Sequence, residues 1–238
     1  MPRQTSSARD RILDAAELLF ARQGFDATSI KDIGGRAHVN SALLYYYFKD
    51  KETLYRATLR RLVESLVAEG KQGLDAGATP KAAIRSLIEV QVRFLSTKPH
   101  IARLIGRELV DHEAAHAEEY IAFLAANLFR RLCDIIAKGQ KDGVFRSDLD
   151  PRFAAISTVA QVVYFFIARP AVGIMLGHGT KGPPDSVVRN FARHAADFAL
   201  SALAVGPTAS PRKTRPKATV GATRQTRSAR RASSGAAR

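Results

Sequence analysis

Apolar positions along this chain recur at helical spacing. Ile12, Ala15, Ala16, Leu19 and Phe20 stand at i, i+3, i+4, i+7 and i+8, one face of a single helix. Ser7 with Asp10 forms a capping box at its start, with Asp in place of the usual Glu, and Gly24 suits its C-terminal stop. Ser29 with Asp32 opens a second, short helix. Asn40 caps a third and Asp50 a fourth, which runs to about Asp75 before "AGATP" breaks it. Pro80 and Pro99 mark further starts, since a first helical turn tolerates proline. "KDGVFRSDLDP" (141–151) reads as a loop with Asp150 as cap and Pro151 at the first helical position. Two late helices, about 151–168 and 185–205, flank "RPAVGIMLGHGTKGPP", whose glycines read as a flexible loop. There is no convincing alternating strand and no internal repeat. The expected fold class is all-α.

One stretch does not fit simple burial. "NSALLYYYFKDKETLY" (40–55) sets Tyr45, Tyr46, Tyr47 and Phe48 in succession, and four consecutive aromatics cannot share one buried helix face. If Leu44 and Phe48 point inward, Tyr46 points nearly opposite and Tyr45 and Tyr47 flank the buried stripe. The helices at 29–36 and 40–47 are joined by about three residues, the spacing of a helix-turn-helix. Its interior would be Ile30, Ile33, Ala37, Val39, Leu44 and Phe48, packed onto the Phe20 face of the first helix. Outward phenols can donate to phosphate oxygens, with Lys49 or Lys51 adding charge. The same rings are large enough to touch sugar or a thymine methyl.

Charge sharpens this picture. The net charge is +15, yet nine of the 37 Lys and Arg and none of the 22 acids lie in 207–238. Residues 1–206 therefore carry 28 bases against 22 acids, a milder balance. The segment 207–238 has no aromatic and one valine as its only large apolar residue, the composition of a disordered basic tail. Such a tail would add salt-dependent affinity for any DNA. The single cysteine, Cys133, lies in the apolar stretch "FRRLCDIIA" and reads as a buried thiol; one cysteine excludes an internal disulfide framework. "MPRQTSSARD" holds no apolar signal region, and the longest apolar run, 153–168, is too short to span a bilayer. A cytoplasmic location is expected, with no membrane partner.

"RILDAAELLFARQGFDATSIKDIGGRAHVNSALLYYYFKDKETLY" resembles the DNA-binding region of the TetR family of transcriptional regulators. The family pattern around the recognition helix is matched by Ala37, Val39, Leu44, Tyr45, Phe48 and Lys51. His38 stands where the family usually has glycine, and Ala42 and Leu43 replace a common Gly-Thr pair. The resemblance implies an N-terminal three-helix DNA-binding domain (9–54) after a flexible arm (1–8), then a helical ligand-binding and dimerisation domain (55–206). It implies phosphate contacts from Thr28 or Ser29, Tyr45, Tyr47 and Lys51. Base-edge contacts would come from Lys31 and from Asn40, Ser41, Ala42 and Leu43, with Tyr46 nearby. It further implies a homodimer through helices 151–168 and 185–205, double-stranded DNA as partner, and an unknown small-molecule effector. Phe94, Arg103, Arg107, Phe123, Asn127 and Tyr164, polar or aromatic residues beside apolar stripes, are the candidate pocket residues.

Two other classes compete. "HEAAH" at 112–116 matches the pattern in which two histidines one turn apart hold zinc and the glutamate acts as general base. The surrounding "VDHEAAHAEEY" reads instead as a solvated helix start, so no catalytic residue, metal or cofactor is assigned. A DNA-packaging protein driven by the basic tail would bind without sequence preference. The capped helix-turn-helix favours a sequence-specific, ligand-responsive repressor that reads a pseudo-palindromic operator.

Overall fold

The computed structural model describes residues 7–205; the basic tail 207–238 and all but the end of the arm 1–8 lie outside them. Ser7 and Ala8 are described, and they belong to the first helix as its cap and first residue rather than to an arm. Among the described residues there are eleven α-helices, one π turn and a single isolated β-bridge, Phe145 to Ala204. The described residues, 7–205, fall within one compact unit.

The helix-turn-helix head consists of α1 (Ala8–Ala27), α2 (Ile30–Ala37) and α3 (Ser41–Tyr47). Each starts where a side chain satisfies an orphan backbone amide, as the sequence predicts. The Ser7 hydroxyl accepts from the Asp10 amide, Ser29 from Asp32, and Asn40 from Leu43. Gly24, at φ 85°, breaks the regular path of α1, and the chain resumes a helical course through Ala27. A side chain there would be strained at that φ, and its Cβ would meet the Arg107 guanidinium at 3.0 Å.

The turn between α2 and α3 follows from hydrogen bonding. Val39 N–H donates to the Gly34 carbonyl at 3.0 Å and His38 N–H to that of Gly35 at 3.4 Å, a Schellman pair. His38 takes the left-handed conformation (φ 55°, ψ 47°) that this motif demands. Gly34 is required by close approach, since a Cβ there would sit 3.0 Å from the Val39 carbonyl oxygen. Nothing in the structure explains Gly35, whose Cβ position is open.

Helix α4 (Lys51–Asp75) begins on α1, with Asp50 as its cap, and continues along α5 (Pro80–Thr97). Behind these come α6 (Pro99–Asp111), α7 (Glu118–Leu124), a π turn (Ala125–Phe129) and α8 (Arg130–Lys141). Helices α9 (Pro151–Ile167), α10 (Arg169–Met175) and α11 (Asp185–Leu203) complete the fold. The stretch separating the two late helices contains a short helix, α10, which reaches two residues past Gly173 into the expected glycine loop. Its start at Arg169–Pro170 follows the proline rule that served at Pro80, Pro99 and Pro151.

Two ties fix the head to the rest, and a third joins α4 to α6 beside it. Arg61 of α4 donates to Glu17 of α1 at 2.9 Å and meets Asp14 at 2.8 Å, while His100 of α6 faces the other Glu17 oxygen. Arg107 of α6 donates to the Arg22 carbonyl at 3.3 Å. Tyr55 of α4 donates to Glu108 of α6 at 2.8 Å. Burial alone would raise the Glu17 carboxyl, but hydrogen bonds from His100 and Arg61 and their charges outweigh it and hold it below its ordinary range.

Candidate nucleic-acid interface and effector cavity

Ile33, Ala37, Leu44 and Phe48 are buried as predicted, with Ile30 and Val39 partly buried against the same core. That packing fixes the rotation of α3. Tyr46 is therefore turned outward with 80% of its surface exposed, flanked by Tyr45 at 52% and Tyr47 at 38%. The Tyr46 and Tyr47 rings meet edge to face with centres 5.2 Å apart, which limits the rotamers of both. Ser29, Lys31, Asn40, Ser41, Ala42 and Lys49 are exposed and Leu43 is half-buried. The exposed hydroxyl, amide and ammonium groups among these residues are of the chemistry that suits phosphates and base edges.

Two predicted contacts are directed elsewhere. Thr28 is buried, and its hydroxyl donates to the Gly24 carbonyl at 2.6 Å. That bond stabilises the end of α1 where the helix leaves its regular path. Lys51 donates to the carbonyls of Phe25 and Asp26 at 3.0 and 3.3 Å. Its charge thus meets the carbonyl end of α1, where a cation is favoured. Both residues position the head.

The larger C-terminal part contains a partly open apolar cavity of about 350 Å³. Leu66 and Gly70 of α4, Leu87, Val90 and Gln91 of α5, and Ile105 of α6 form one side. Leu124, Leu128, Phe129 and Leu132, around the π turn, and Ile156, Val159, Ala160 and Val163 of α9 form the other. The only polar side chain among them is Gln91, and its Oε1 is buried without a hydrogen-bond partner. Gly70 has a packing reason, since a Cβ there would come within 2.6 Å of Leu128. The π turn places one extra residue per turn at the wall, a feature frequent at binding sites.

The six residues expected at the pocket lie elsewhere. Phe94 is core, under the Lys98 ammonium. Arg103 and Arg107 border a shallow hollow between α1 and α6. Phe123 and Tyr164 are exposed, and Asn127 accepts from Lys71 at 3.0 Å. None of the six lines this cavity, which is built from aliphatic side chains that read as ordinary core in the sequence.

An all-helical chain with a capped helix-turn-helix at one end and an apolar cavity at the other has the build of a ligand-controlled DNA-binding regulator. Residues 12–58 match the family model for bacterial regulatory proteins of the tetR family, and residues 80–197 that for the tetracyclin repressor-like C-terminal domain. The HTH-type transcriptional repressor NicS of Pseudomonas putida is 31% identical over 166 residues, 68% of this chain and 77% of NicS. The HTH-type transcriptional repressor KstR2 of Rhodococcus jostii is 29% identical over 150 residues, 63% of this chain and 73% of KstR2. The crystal structure of FadR from Bacillus subtilis in complex with stearoyl-CoA superposes with a TM-score of 0.66 at 17% identity, covering 82% of this chain and 98% of FadR. The chain belongs to the TetR family. It is a DNA-binding transcriptional regulator, and its named relatives are regulators and not enzymes. Among the described residues no single helix is long and apolar enough to cross a membrane.

Proposed function

We propose that this protein is a repressor that binds a pseudo-palindromic operator as a homodimer and is released by an apolar effector. The cavity carries the reading: its wall is aliphatic, and one amide with an unpartnered oxygen faces otherwise apolar surroundings. An effector with a long or fused hydrocarbon body fits that chemistry, and a donor group on it would satisfy the buried Gln91 oxygen once that side chain turns toward the cavity. The acyl chain of the stearoyl-CoA bound to Bacillus subtilis FadR is a ligand of this apolar type.

On the DNA side, Tyr45, Tyr47, Ser29 and Lys49 would hold phosphates. Asn40, Ser41, Ala42, Leu43, Tyr46 and Lys31 would face base edges. Exposed apolar side chains on the two late helices support the dimer. Phe153 and Tyr164 of α9 and Phe198 of α11 each leave more than half their surface bare, more than an isolated monomer needs. A two-fold dimer presents two recognition helices to two half-sites.

Selection from random DNA at near-physiological salt, followed by release from the recovered site by saturated and fused-ring apolar compounds, tests this. The expected result is a pseudo-palindrome released by one such class, with Val163→Phe, which fills the cavity, binding DNA but no longer responding. Recovery of no motif, or equal release from Val163→Phe, would refute the reading.

A further inference from the structure

The "HEAAH" residues do not form the metallopeptidase helix that their spacing matches. Helix α6 ends at Asp111, and 112–117 is a turn in which Glu113 and Ala114 take left-handed φ values of 50° and 66°. Glu113 is exposed on that turn. The turn folds His116 back beneath α6, where its N–H donates to Glu108 Oε1 at 2.8 Å. His116 Nδ1 then lies 3.4 Å from Glu108 Oε2, buried and without a hydrogen-bond partner. The His112 ring stands edge-on to His116 with centres 4.8 Å apart. One ligand atom from each of Glu108, His112 and His116 falls within 4.8 Å of the others.

We propose that Glu108, His112 and His116 are a three-ligand site for a zinc-class divalent metal ion. Four-coordinate zinc with bonds of about 2.0–2.1 Å sets its ligand atoms about 3.3–3.4 Å apart. Glu108 and His116 already hold that spacing. His112, half-exposed at the end of α6, closes the third edge by side-chain rotation, and water takes the fourth position. Two imidazoles and one carboxylate favour zinc, cobalt or nickel over magnesium or calcium, which prefer all-oxygen sites. The supporting shell is in place. Tyr55 donates to Glu108 Oε2 at 2.8 Å and the His116 amide to Oε1, so the carboxylate is oriented before any ion arrives. Phe25 and Tyr55 wall the two histidines, with ring centres 5.3 to 6.3 Å away.

The location gives the ion a role. Phe25 belongs to the end of α1, Tyr55 to the start of α4 and Glu108 to α6. An ion held there braces the joint between the helix-turn-helix head and the cavity-bearing helices. The site needs no apolar effector, so it stands or falls separately from the preceding reading.

The test is titration of the chelator-treated full-length protein with cobalt(II) and zinc(II). Visible absorption, calorimetry and melting temperature provide the readouts. The expected result is one ion per chain, a four- or five-coordinate cobalt spectrum displaced by zinc, and a rise in melting temperature. His112→Ala, at a half-exposed position that leaves the Tyr55–Glu108 bond intact, should weaken binding at least tenfold, as should His116→Gln. Absence of stoichiometric binding, or wild-type affinity in a folded His112→Ala variant, would overturn the proposal.

Discussion

The ammonium of Lys51 donates to the Phe25 carbonyl at 3.0 Å and lies 4.4 Å from the centre of the Phe25 ring. One side chain thus ties the start of α4 to the end of α1. Hydrogen bonds from a charged donor contribute about 1.5–3 kcal/mol, and this partly exposed one belongs at the lower end. Lys51→Met should lower stability by about 1–2 kcal/mol in urea denaturation. The slope of log affinity against log salt should stay as in wild type, whereas Lys49→Ala, which removes one phosphate contact from each protomer, should reduce it by about two for the dimer.

Tyr46 is largely solvent-exposed, so removing its ring costs the fold little. Tyr46→Ala should leave the melting temperature nearly unchanged while weakening the selected operator by about tenfold, the worth of about 1.4 kcal/mol. Gel-shift titration beside a thermal melt separates the two effects. A loss of stability equal to the loss of affinity would mean the tyrosine packs rather than reads.

His38 holds a backbone conformation that costs a residue with a Cβ about 1–2 kcal/mol. Asn and His bear it better than branched residues. His38→Gly should therefore stabilise the protein modestly, by about 0.5–1 kcal/mol, and His38→Val should destabilise it. Equal melting temperatures for the glycine and valine variants would show that the turn relaxes in solution.

Glu17 links three helices through Arg61 and His100, and its carboxyl is held below the ordinary glutamate range. A depressed carboxyl stabilises the fold at neutral pH, and the contribution disappears as pH falls through its folded-state value. Glu17→Gln should destabilise by about 1–3 kcal/mol at pH 7. The gap between variant and wild type should narrow as the pH drops below about 4, as followed by urea midpoints.

Gln91 buries an amide oxygen without a partner beside the cavity. An unsatisfied buried acceptor costs about 1–3 kcal/mol, so Gln91→Leu should raise the stability of the effector-free protein by about 1 kcal/mol. The same change should weaken an effector that donates to Gln91 while leaving operator affinity intact. Calorimetry with the released compound checks both.

The sequence reveals the head far better than the cavity, for a physical reason. Ser7, Ser29, Asn40 and Asp50 act on amides three residues away, so their effect is local and readable. The outward turn of Tyr46 follows from the inward turn of Leu44 and Phe48 on the same short helix. The cavity depends on five separate segments meeting, and Leu66, Val90, Leu128 and Val159 carry no mark that distinguishes a wall from a filled core. Nor does spacing show that Thr28 and Lys51 turn toward α1, because both partners are backbone carbonyls. His116 shows the converse. Its motif is visible, yet the ligand that accompanies it is Glu108, placed there by two left-handed residues rather than by helical repeat.

Helix α4 carries Lys51 and Tyr55 at one end and Leu66 and Gly70 on the cavity wall. At 1.5 Å per residue, Leu66 lies about 22 Å along the axis from Lys51. An unbroken helix of this kind behaves as a lever: a tilt of about 5° at the cavity would displace its head end by about 2 Å over that length. In a two-fold pair the shifts add with opposite sign, so the two recognition helices would change separation by up to about 4 Å, more than one base-pair rise of about 3.4 Å. A molecule no larger than the space behind Leu66 could thereby put the protein out of step with the DNA without touching a residue that reads it.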